Sequence, residues 1–329
     1  MTQMNPIVKD CLYYGASRVG ELPFFRARFA ARAAIILFHE IQRDCRSELM
    51  TGTSISLFEY SLNWLQQDGW SIVSLDECIE KLARNDRSRR YAVLTFDDGY
   101  RDNVSVALPI LERNNAPFMV YVPTGAPTRS MQSWWLGLRK LFLSRDKVTI
   151  DALGRGFHCS DFRSKMSALD EVIRWVHQDY RRAALLAPTF KQNGISLAAL
   201  NDAYFLDERE LRILAHHPLA SIGGHTTSHA ALATLDGSSA RAELADNRGY
   251  LENLLQLSVR HVAYPYGACG PREEHLANEV GFQTAVTTRQ GRLYDHQVNH
   301  FAFPRIGVYS RSGLRARMSG IIEGVQALR

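Results

Sequence analysis

The sequence predicts an α/β fold, a distorted (β/α) barrel of about seven to eight strands with a helical insertion. Short apolar runs that are typical of buried strands alternate with segments of helical period along most of the 329 residues. This alternation indicates a mostly parallel sheet. The first and last segments of the series resemble those in the middle, which favours a closed barrel over an open sheet. Three regions are therefore expected: an N-terminal helical arm at 1–30, the barrel at 31–311 and a basic, helical tail at 312–329.

The individual elements follow from apolar runs and from capping signals. Strands are expected at 33–38, 70–74, 91–96, 117–122, 220–224, within 260–267, at 283–288 and within 301–308. Ser56 and Glu59, and likewise Ser74 and Glu77, have the spacing of a capping box at a helix start. Helices are expected at 56–69, 74–84, 238–256, and around 102–115 and 272–280.

The interval 129–217 breaks this alternation. It contains two stretches of helical period and composition, at 133–146 and 169–187. We therefore expect a helical insertion that covers one mouth of the barrel as a cap.

Composition excludes several classes of protein. The net charge is +5 and the pI is about 9.0, but the arginines are scattered, so no nucleic-acid partner is predicted. Five cysteines without a C-x-x-C pair argue against a disulfide framework and favour a cytoplasmic location. The apolar run at 33–38 is too short to cross a bilayer, so no transmembrane segment is expected. The oligomeric state is left open.

Chemically active residues follow several predicted strands at the point where each strand ends. These residues are Asp97 and Asp98, His39, His225 and His229, and Pro265 with Tyr266. In parallel β/α barrels, catalytic groups gather at the carboxyl ends of the strands. The positions therefore predict one shared site.

A metal site is predicted from the histidine pair and the doubled aspartate. His225 and His229 are four residues apart, and on a helical turn this spacing places both imidazoles on one face. Gly223 and Gly224 would then allow the tight turn from strand to helix. Two histidines and one carboxylate leave a coordination position for water, whose pKa a zinc-like ion lowers from about 16 to about 7. The second carboxylate would be free to act as a general base.

The motifs "TFDDGY", "HTTSH" and "YPYG", in this order, resemble those of the polysaccharide deacetylase family. This family, the homology group of the nodulation-factor chitooligosaccharide deacetylases, comprises distorted β/α barrels that hydrolyse N- or O-acetyl groups on sugars with a divalent metal. The resemblance covers roughly 33–128 and 218–310. It implies that Asp97 is the base and that Asp98, His225 and His229 bind the metal, with Zn²⁺ favoured and Co²⁺ or Ni²⁺ as alternatives.

The resemblance also implies a substrate pocket. Tyr266, after Pro265, would offer its backbone N–H to the oxyanion, and its ring would shape the acetyl pocket. Trp134 and Trp135 in the insertion could stack on sugar rings, because aromatic faces pack well against apolar C–H faces. Each could equally be part of the core of the insertion.

Two positions depart from the pattern of the family. The arginine that usually steadies the catalytic aspartate is Ala263 in this chain, and we expect Arg305 to replace it, with Arg260 as a weaker candidate. The usual C-terminal Leu-x-His, which supplies the general acid, is missing. His39 is expected in that role in preference to His300, as in the biofilm poly-N-acetylglucosamine deacetylases.

The resulting hypothesis is a metal-dependent hydrolase that removes acetyl groups, in the first place the N-acetyl group of an amino sugar. An oligosaccharide, a polysaccharide and a lipid-linked glycan all fit as substrates. Two alternatives stay open: an amidohydrolase or deformylase that acts on a non-acetyl or non-sugar amide, and a catalytically inactive glycan-binding barrel. A glycoside hydrolase is disfavoured, because adjacent carboxylates on a strand point to opposite faces and cannot easily flank one bond.

Overall fold

The computed structural model describes residues 6–20, 31–43, 49, 52–294 and 299–320. The strands are β1 (Ala33–Phe38), β2 (Ile41–Gln42), β3 (Thr53–Ser54), β4 (Trp70–Ile72), β5 (Arg90–Phe96), β6 (Phe118–Val122), β7 (Lys147–Ile150), β8 (Arg155–His158), β9 (Ala220–Gly224), β10 (His261–Ala263), β11 (Thr284–Gln290) and β12 (Phe303–Gly307). The α-helices are α1 (Pro6–Gly20), α2 (Ile55–Gln67), α3 (Leu75–Ala83), α4 (Leu108–Arg113), α5 (Trp134–Ser144), α6 (Phe162–Gln178), α7 (Ala187–Gln192), α8 (Leu197–Tyr204), α9 (Glu208–Ala215), α10 (Gly237–Leu255), α11 (Pro271–Val280) and α12 (Arg311–Ser319).

Seven parallel strands close into a barrel in the order β1-β12-β11-β10-β9-β6-β5, and β5 pairs back onto β1. The other edge of β5 is shared: β4 pairs with residues 90–92 and β6 with residues 94–96. Strand β4 is thus an eighth strand beside the N-terminal half of β5. The predicted closed β/α barrel of seven to eight strands is confirmed.

Strands β1 and β6 consist entirely of buried apolar residues, because parallel barrel strands are covered on both faces. Alternate side chains of β1 and β5 belong to two different clusters. One cluster lies inside the barrel and includes Ala33, Ile35, Tyr91 and Val93. The other lies between the strands and the surrounding helices and includes Ala34, Ile36, Phe58 and Leu111.

The helix starts agree with the capping signals in one case and differ in the other. Ser74 Oγ accepts a hydrogen bond from the Glu77 amide at 3.1 Å, as its spacing predicts. Helix α2 instead begins after Ser54, whose hydroxyl accepts from the Leu57 amide at 3.3 Å. The prediction of Ser56 as the cap is wrong, because β3 leads directly into the helix two residues earlier. Helix α4 is preceded by a π-helical turn, Asn103–Ala107.

The insertion has an apolar core of its own, which includes Leu138, Phe142, Val172 and Phe190. It comprises helices α5 to α9, but β7 and β8 form an antiparallel hairpin between α5 and α6. The prediction of a purely helical insertion is therefore wrong at 147–158. Strand β7 alternates exposed and buried residues, which is the two-residue period of a strand with one covered face.

Parts of the predicted arm and tail, 1–5, 21–30 and 321–329, lie outside the described residues. Within the described part, Arg317 of α12 donates to the Tyr13 hydroxyl of α1 at 3.0 Å. Among the helices of the described ranges, none combines the length and apolarity needed to cross a membrane. The domain boundaries stay a prediction.

Candidate active site

Two buried carboxylates stand at the carboxyl end of β5 and point to different partners. Asp97 is 2% exposed and Asp98 is 5% exposed. The backbone turns sharply at Asp98, where φ is +72°, a conformation that aspartate tolerates better than most residues. The turn directs Asp97 toward Arg305 and Asp98 toward the two histidines that follow β9.

The three predicted metal ligands lie together. Asp98 Oδ1 is 3.3 Å from His225 Nε2 and 3.1 Å from His229 Nε2. One ligand atom from each of the three residues lies within 4.8 Å of the other two, and all three side chains are buried. Sequence reasoning grouped these residues correctly, although they come from two separate strand ends.

Other side chains and carbonyls orient the two imidazoles. His225 Nδ1 lies 2.7 Å from the Ala263 carbonyl oxygen, so Nδ1 carries a proton and Nε2 is the ring nitrogen that faces Asp98. His229 Nδ1 lies 3.1 Å from the Tyr266 hydroxyl. Burial lowers the pKa of His229, which favours the neutral form that a metal ligand needs.

The donor set fits a divalent cation. Asp98 Oδ1 is buried and makes no hydrogen bond within the part of the chain that the structure describes, although two imidazole nitrogens lie close to it. A buried carboxylate oxygen that accepts no hydrogen bond is unfavourable unless a cation is bound to it. Burial opposes ionisation, but the neighbouring imidazoles hold the pKa of Asp98 well below its usual range. One carboxylate and two histidines, with a position left for water, are ligands typical of catalytic zinc.

The histidine pair does not lie on a helix, so the predicted helical turn is wrong. Residues 225–230 form an irregular loop in which φ is +63° at Thr226 and +60° at His229. Asn247 of α10 supplies the hydrogen bonds that a helix would have made. Its Oδ1 accepts from the His225 amide at 3.1 Å, and its Nδ2 donates to the Thr226 carbonyl at 2.6 Å.

Gly223 and Gly224 have a different role from the predicted one. Both lie within β9 rather than at a turn into a helix. A Cβ atom at Gly223 would overlap the Tyr121 ring, and a Cβ atom at Gly224 would overlap Asn247 Oδ1. These glycines therefore leave room for neighbouring side chains inside and outside the barrel.

Arg305 is fully buried and binds Asp97 with two parallel contacts, Nη1 to Oδ1 at 2.7 Å and Nη2 to Oδ2 at 2.6 Å. Its Nε donates to the Thr287 carbonyl at 2.8 Å. Burial acts to raise the pKa of Asp97, but the charge and hydrogen bonds of Arg305 lower it below its usual value. The contact expected of Arg305 is present. Arg260 precedes β10 at the opposite end of the barrel and binds Asp76 at 2.6 Å.

His39 and His300 lie at opposite ends of the barrel. His39 directly follows β1, whose last residue, Phe38, pairs with Phe96 immediately before Asp97. His300 is exposed and precedes β12, and its carbonyl accepts from the Ala285 amide at the start of β11. The structure thus places His39 at the site and His300 away from it. The catalytic role of His39 stays a prediction.

Aromatic residues of the insertion contact the site. Trp134 Nε1 donates to the Tyr266 hydroxyl at 2.9 Å, and the Tyr266 ring stacks on Tyr180 with centroids 4.3 Å apart. The Trp135 ring centroid lies 4.9 Å from that of His229. Trp134 is only 4% exposed and belongs to the core of the insertion, so its burial does not fit the predicted stacking on a sugar. Trp135 is half-buried beside the ligands and stays a candidate.

Sequence reasoning missed Glu40 and Arg139, which form a buried ion pair beside His39. The one available signal was "LFHEI", in which a second polar residue follows the histidine after a buried strand. Nothing in the sequence around Arg139 indicated its partner, because the two residues are 99 positions apart.

Comparison with known proteins identifies the family of the chain. The sequence model of the family described as "Polysaccharide deacetylase" matches residues 84–149 and 182–285, which together make up more than half of the chain. The chain belongs to the polysaccharide deacetylase family. The match includes parts of the insertion that the motifs alone did not cover, and it leaves out 150–181.

Three relatives of this chain share only 17–20% sequence identity with it. A Bacillus subtilis (strain 168) protein named "Putative polysaccharide deacetylase YxkH" is 20% identical over 266 residues, which are 79% of this chain and 66% of that protein, just under two thirds of its length. The structure of Streptococcus pyogenes deacetylase PplD in complex with acetate is 18% identical, with a TM-score of 0.58 over 86% of this chain and 95% of that one. IcaB from Ammonifex degensii is 17% identical, with a TM-score of 0.56 over 88% and 97%. At these identities, the two structures support the fold.

Proposed function

We propose that this chain is a metal-dependent carbohydrate deacetylase that releases acetate from an acetylated amino-sugar glycan or a lipid-linked saccharide. One observation carries the proposal: a buried Asp-His-His cluster lies directly beside a second carboxylate, Asp97, that is not part of it. A hydrolase of this type needs a base that is separate from its metal ligands. Acetate, which the Streptococcus pyogenes deacetylase holds in its complex, is the product expected of this chain.

The residues of this chain would divide the work as follows. A divalent cation held by Asp98, His225 and His229, with Zn²⁺ favoured over Co²⁺ and Ni²⁺, would supply a Lewis acid for the acetyl carbonyl and lower the pKa of a water. Asp97 takes the proton of the attacking water. Arg305 keeps that carboxylate ionised and fixes its orientation through two contacts.

Two further groups act on the substrate in this proposal. The backbone N–H of Tyr266, in the turn after Pro265, donates to the developing oxyanion. His39 donates a proton to the departing amine, which is a poor leaving group unless it is protonated. The half-buried Trp135 offers an aromatic face beside the ligands.

The test is acetate release from N-acetylglucosamine oligomers and from simple acetyl esters. The purified protein is assayed after metal removal and after zinc or cobalt is restored. Asp97→Asn should retain the metal and lose about 10²–10⁴-fold in kcat, the usual contribution of a general base. Asp202→Asn, which changes an exposed carboxylate of the insertion, is the matched control and should leave kcat unchanged. Acetate release that is indifferent to metal removal or to Asp97→Asn would contradict the proposal.

The products also discriminate the alternatives. Formate or ammonia in place of acetate would assign a deformylase or another amidohydrolase to the same groups. A bound metal without any product would indicate a glycan-binding barrel. A glycoside hydrolase is disfavoured further because Asp97 and Asp98 face different partners. The cytoplasmic location stays a prediction.

A further inference from the structure

The loop that carries His39 is tied to the insertion by a buried ion pair. Glu40 Oε2 is 2.7 Å from Arg139 Nη1, and Glu40 Oε1 is 3.1 Å from Arg139 Nη2. The two side chains are 5% and 6% exposed. Arg139 belongs to α5, and its guanidinium also lies over the Tyr204 ring at 4.8 Å. Glu40, the residue that follows His39, is thus held in place by a residue of the insertion.

The same loop is fixed from the barrel by Asn103. Asn103 is fully buried and its Nδ2 donates to the His39 carbonyl at 2.9 Å. It stands at the first position of the π-helical turn that follows "TFDDGY", and such turns are frequent at functional sites. His39 is therefore held on one side through its own carbonyl and on the other through Glu40.

The chemistry of the Glu40–Arg139 pair indicates a role in position rather than in stability. A buried ion pair is often no more stabilising than two well-packed apolar side chains, because both charges must be desolvated. Its two-contact geometry, however, fixes direction as well as distance. Among the arginine–carboxylate pairs of the described residues, two have both side chains less than a tenth exposed, Asp97–Arg305 and Glu40–Arg139. One holds the expected base, and the other holds the neighbour of the expected acid.

We propose that Glu40 and Arg139 are positioning residues that place the His39 imidazole for proton delivery to the leaving amine. This inference rests on the proposed function. As the C–N bond breaks, its electron pair goes to nitrogen, which takes the proton from His39 and leaves a neutral amine and a neutral imidazole. Through Arg139, helix α5 of the insertion takes part in the reaction by setting the position of the acid.

The test compares two substrates that differ in their need for an acid. An N-acetylglucosamine oligomer has an amine leaving group that must be protonated, whereas an activated aryl acetate has one that leaves without a proton. The double variant Glu40→Gln/Arg139→Gln removes both charges of the pair together, so neither is left buried without the other. It should lose about 10- to 100-fold in kcat on the amide, the effect of a small misplacement of a reacting group. Its kcat on the aryl ester and its metal content should be unchanged.

The matched control is Arg129→Met. Arg129 also belongs to the insertion and binds Asp202 at 3.0 Å and the carbonyl oxygens of residues 126, 201, 205 and 206, none of which is in the His39 loop. This variant should leave kcat unchanged on both substrates. Histidine side-chain NMR gives a readout that does not depend on activity. The His39 resonance, assigned with His39→Gln, should move in the double variant and stay in place in Arg129→Met.

Each outcome decides the inference. Equal losses on both substrates, unchanged kcat on the amide, or an unmoved His39 resonance would overturn it. If the wild-type protein hydrolyses neither substrate, or only one, the proposed function or the substrate choice has failed on its own. The His39 resonance then decides whether the pair sets the position of that histidine.

Discussion

Replacing Arg305 with methionine should destabilise the barrel strongly at neutral pH. The change removes contacts of 2.6 and 2.7 Å and leaves the Asp97 carboxylate, 2% exposed, without its arginine partner. It also removes the donor that the Thr287 carbonyl uses. Breaking a buried ion pair by removing one partner costs about 3–5 kcal/mol. We expect the free energy of unfolding to fall by that amount.

The loss should depend on pH in a defined direction. In the wild-type protein the folded-state pKa of Asp97 is lowered, so the pair contributes stability that is present above the unfolded value of about 3.9 and is lost as the pH falls through the folded pKa. In Arg305→Met, burial is the largest remaining influence on Asp97 and raises its folded-state pKa. The difference in the free energy of unfolding between wild type and variant is therefore largest at neutral pH. It shrinks as the pH falls through that raised pKa.

The assay is urea unfolding of both proteins at neutral and mildly acidic pH. Their free energies of unfolding are compared where the two proteins have equal m-values. Asp97→Asn in the Arg305→Met background removes the unpaired charge and should recover part of the stability. Arg241→Met, which breaks an ion pair with half-exposed Glu279, is the control and should change the free energy of unfolding by about 0–1 kcal/mol. The reasoning would be refuted if Arg305→Met lost as little free energy of unfolding as this control. It would also be refuted if the difference between wild type and Arg305→Met did not decrease in acid.

Three further changes test other contacts. Tyr266→Phe removes the hydroxyl beside His229 Nδ1 and should weaken zinc binding about 10-fold by calorimetry; unchanged affinity would show that the hydroxyl does not orient this ligand. Asp76→Asn removes a carboxylate whose pKa is lowered by its hydrogen bond to a buried histidine, so the variant should be less stable than wild type at neutral pH. The difference in the free energy of unfolding should disappear as the pH falls through that lowered pKa. A difference that stays constant in acid would argue against this. Gly223→Ala should lower the free energy of unfolding by about 1–3 kcal/mol, because the new methyl group meets a buried tyrosine ring. Gly249→Ala in α10, with open space around its added carbon, should instead raise it by up to about 1 kcal/mol. Equal shifts in the melting temperatures of the two variants would contradict the comparison.

The barrel could be predicted from the sequence because its strands are short apolar runs with clear ends. The bounds expected for 33–38 and 220–224 agree with β1 and β9 to the residue. The hairpin of β7 and β8 was missed because it lies between two strongly helical stretches, and its alternation extends over only four residues.

The grouping of Asp98, His225 and His229 could be predicted, but the backbone of the loop that carries the two histidines could not. A spacing of four residues predicts a helical face only where φ stays negative, and φ is positive at Thr226 and His229. The loop is stabilised by Asn247, whose hydrogen bonds cross about twenty residues of sequence. No local pattern contains that information. The contact between Arg139 and Glu40 was invisible for the same reason, because it depends on where the insertion packs.

The strand order of the barrel has a consequence for how the site is encoded. Strand β1 lies between β12 and β5, so His39, Arg305 and Asp97 come from three neighbouring strands although 266 positions separate the first two in sequence. The site therefore depends on the neighbourhood of strands and not on the direction in which the chain visits them. A circularly permuted gene that begins within the surface loop after α10 would bring β12 and β1 into one continuous stretch of chain. It should bring the same three side chains, His39, Arg305 and Asp97, together.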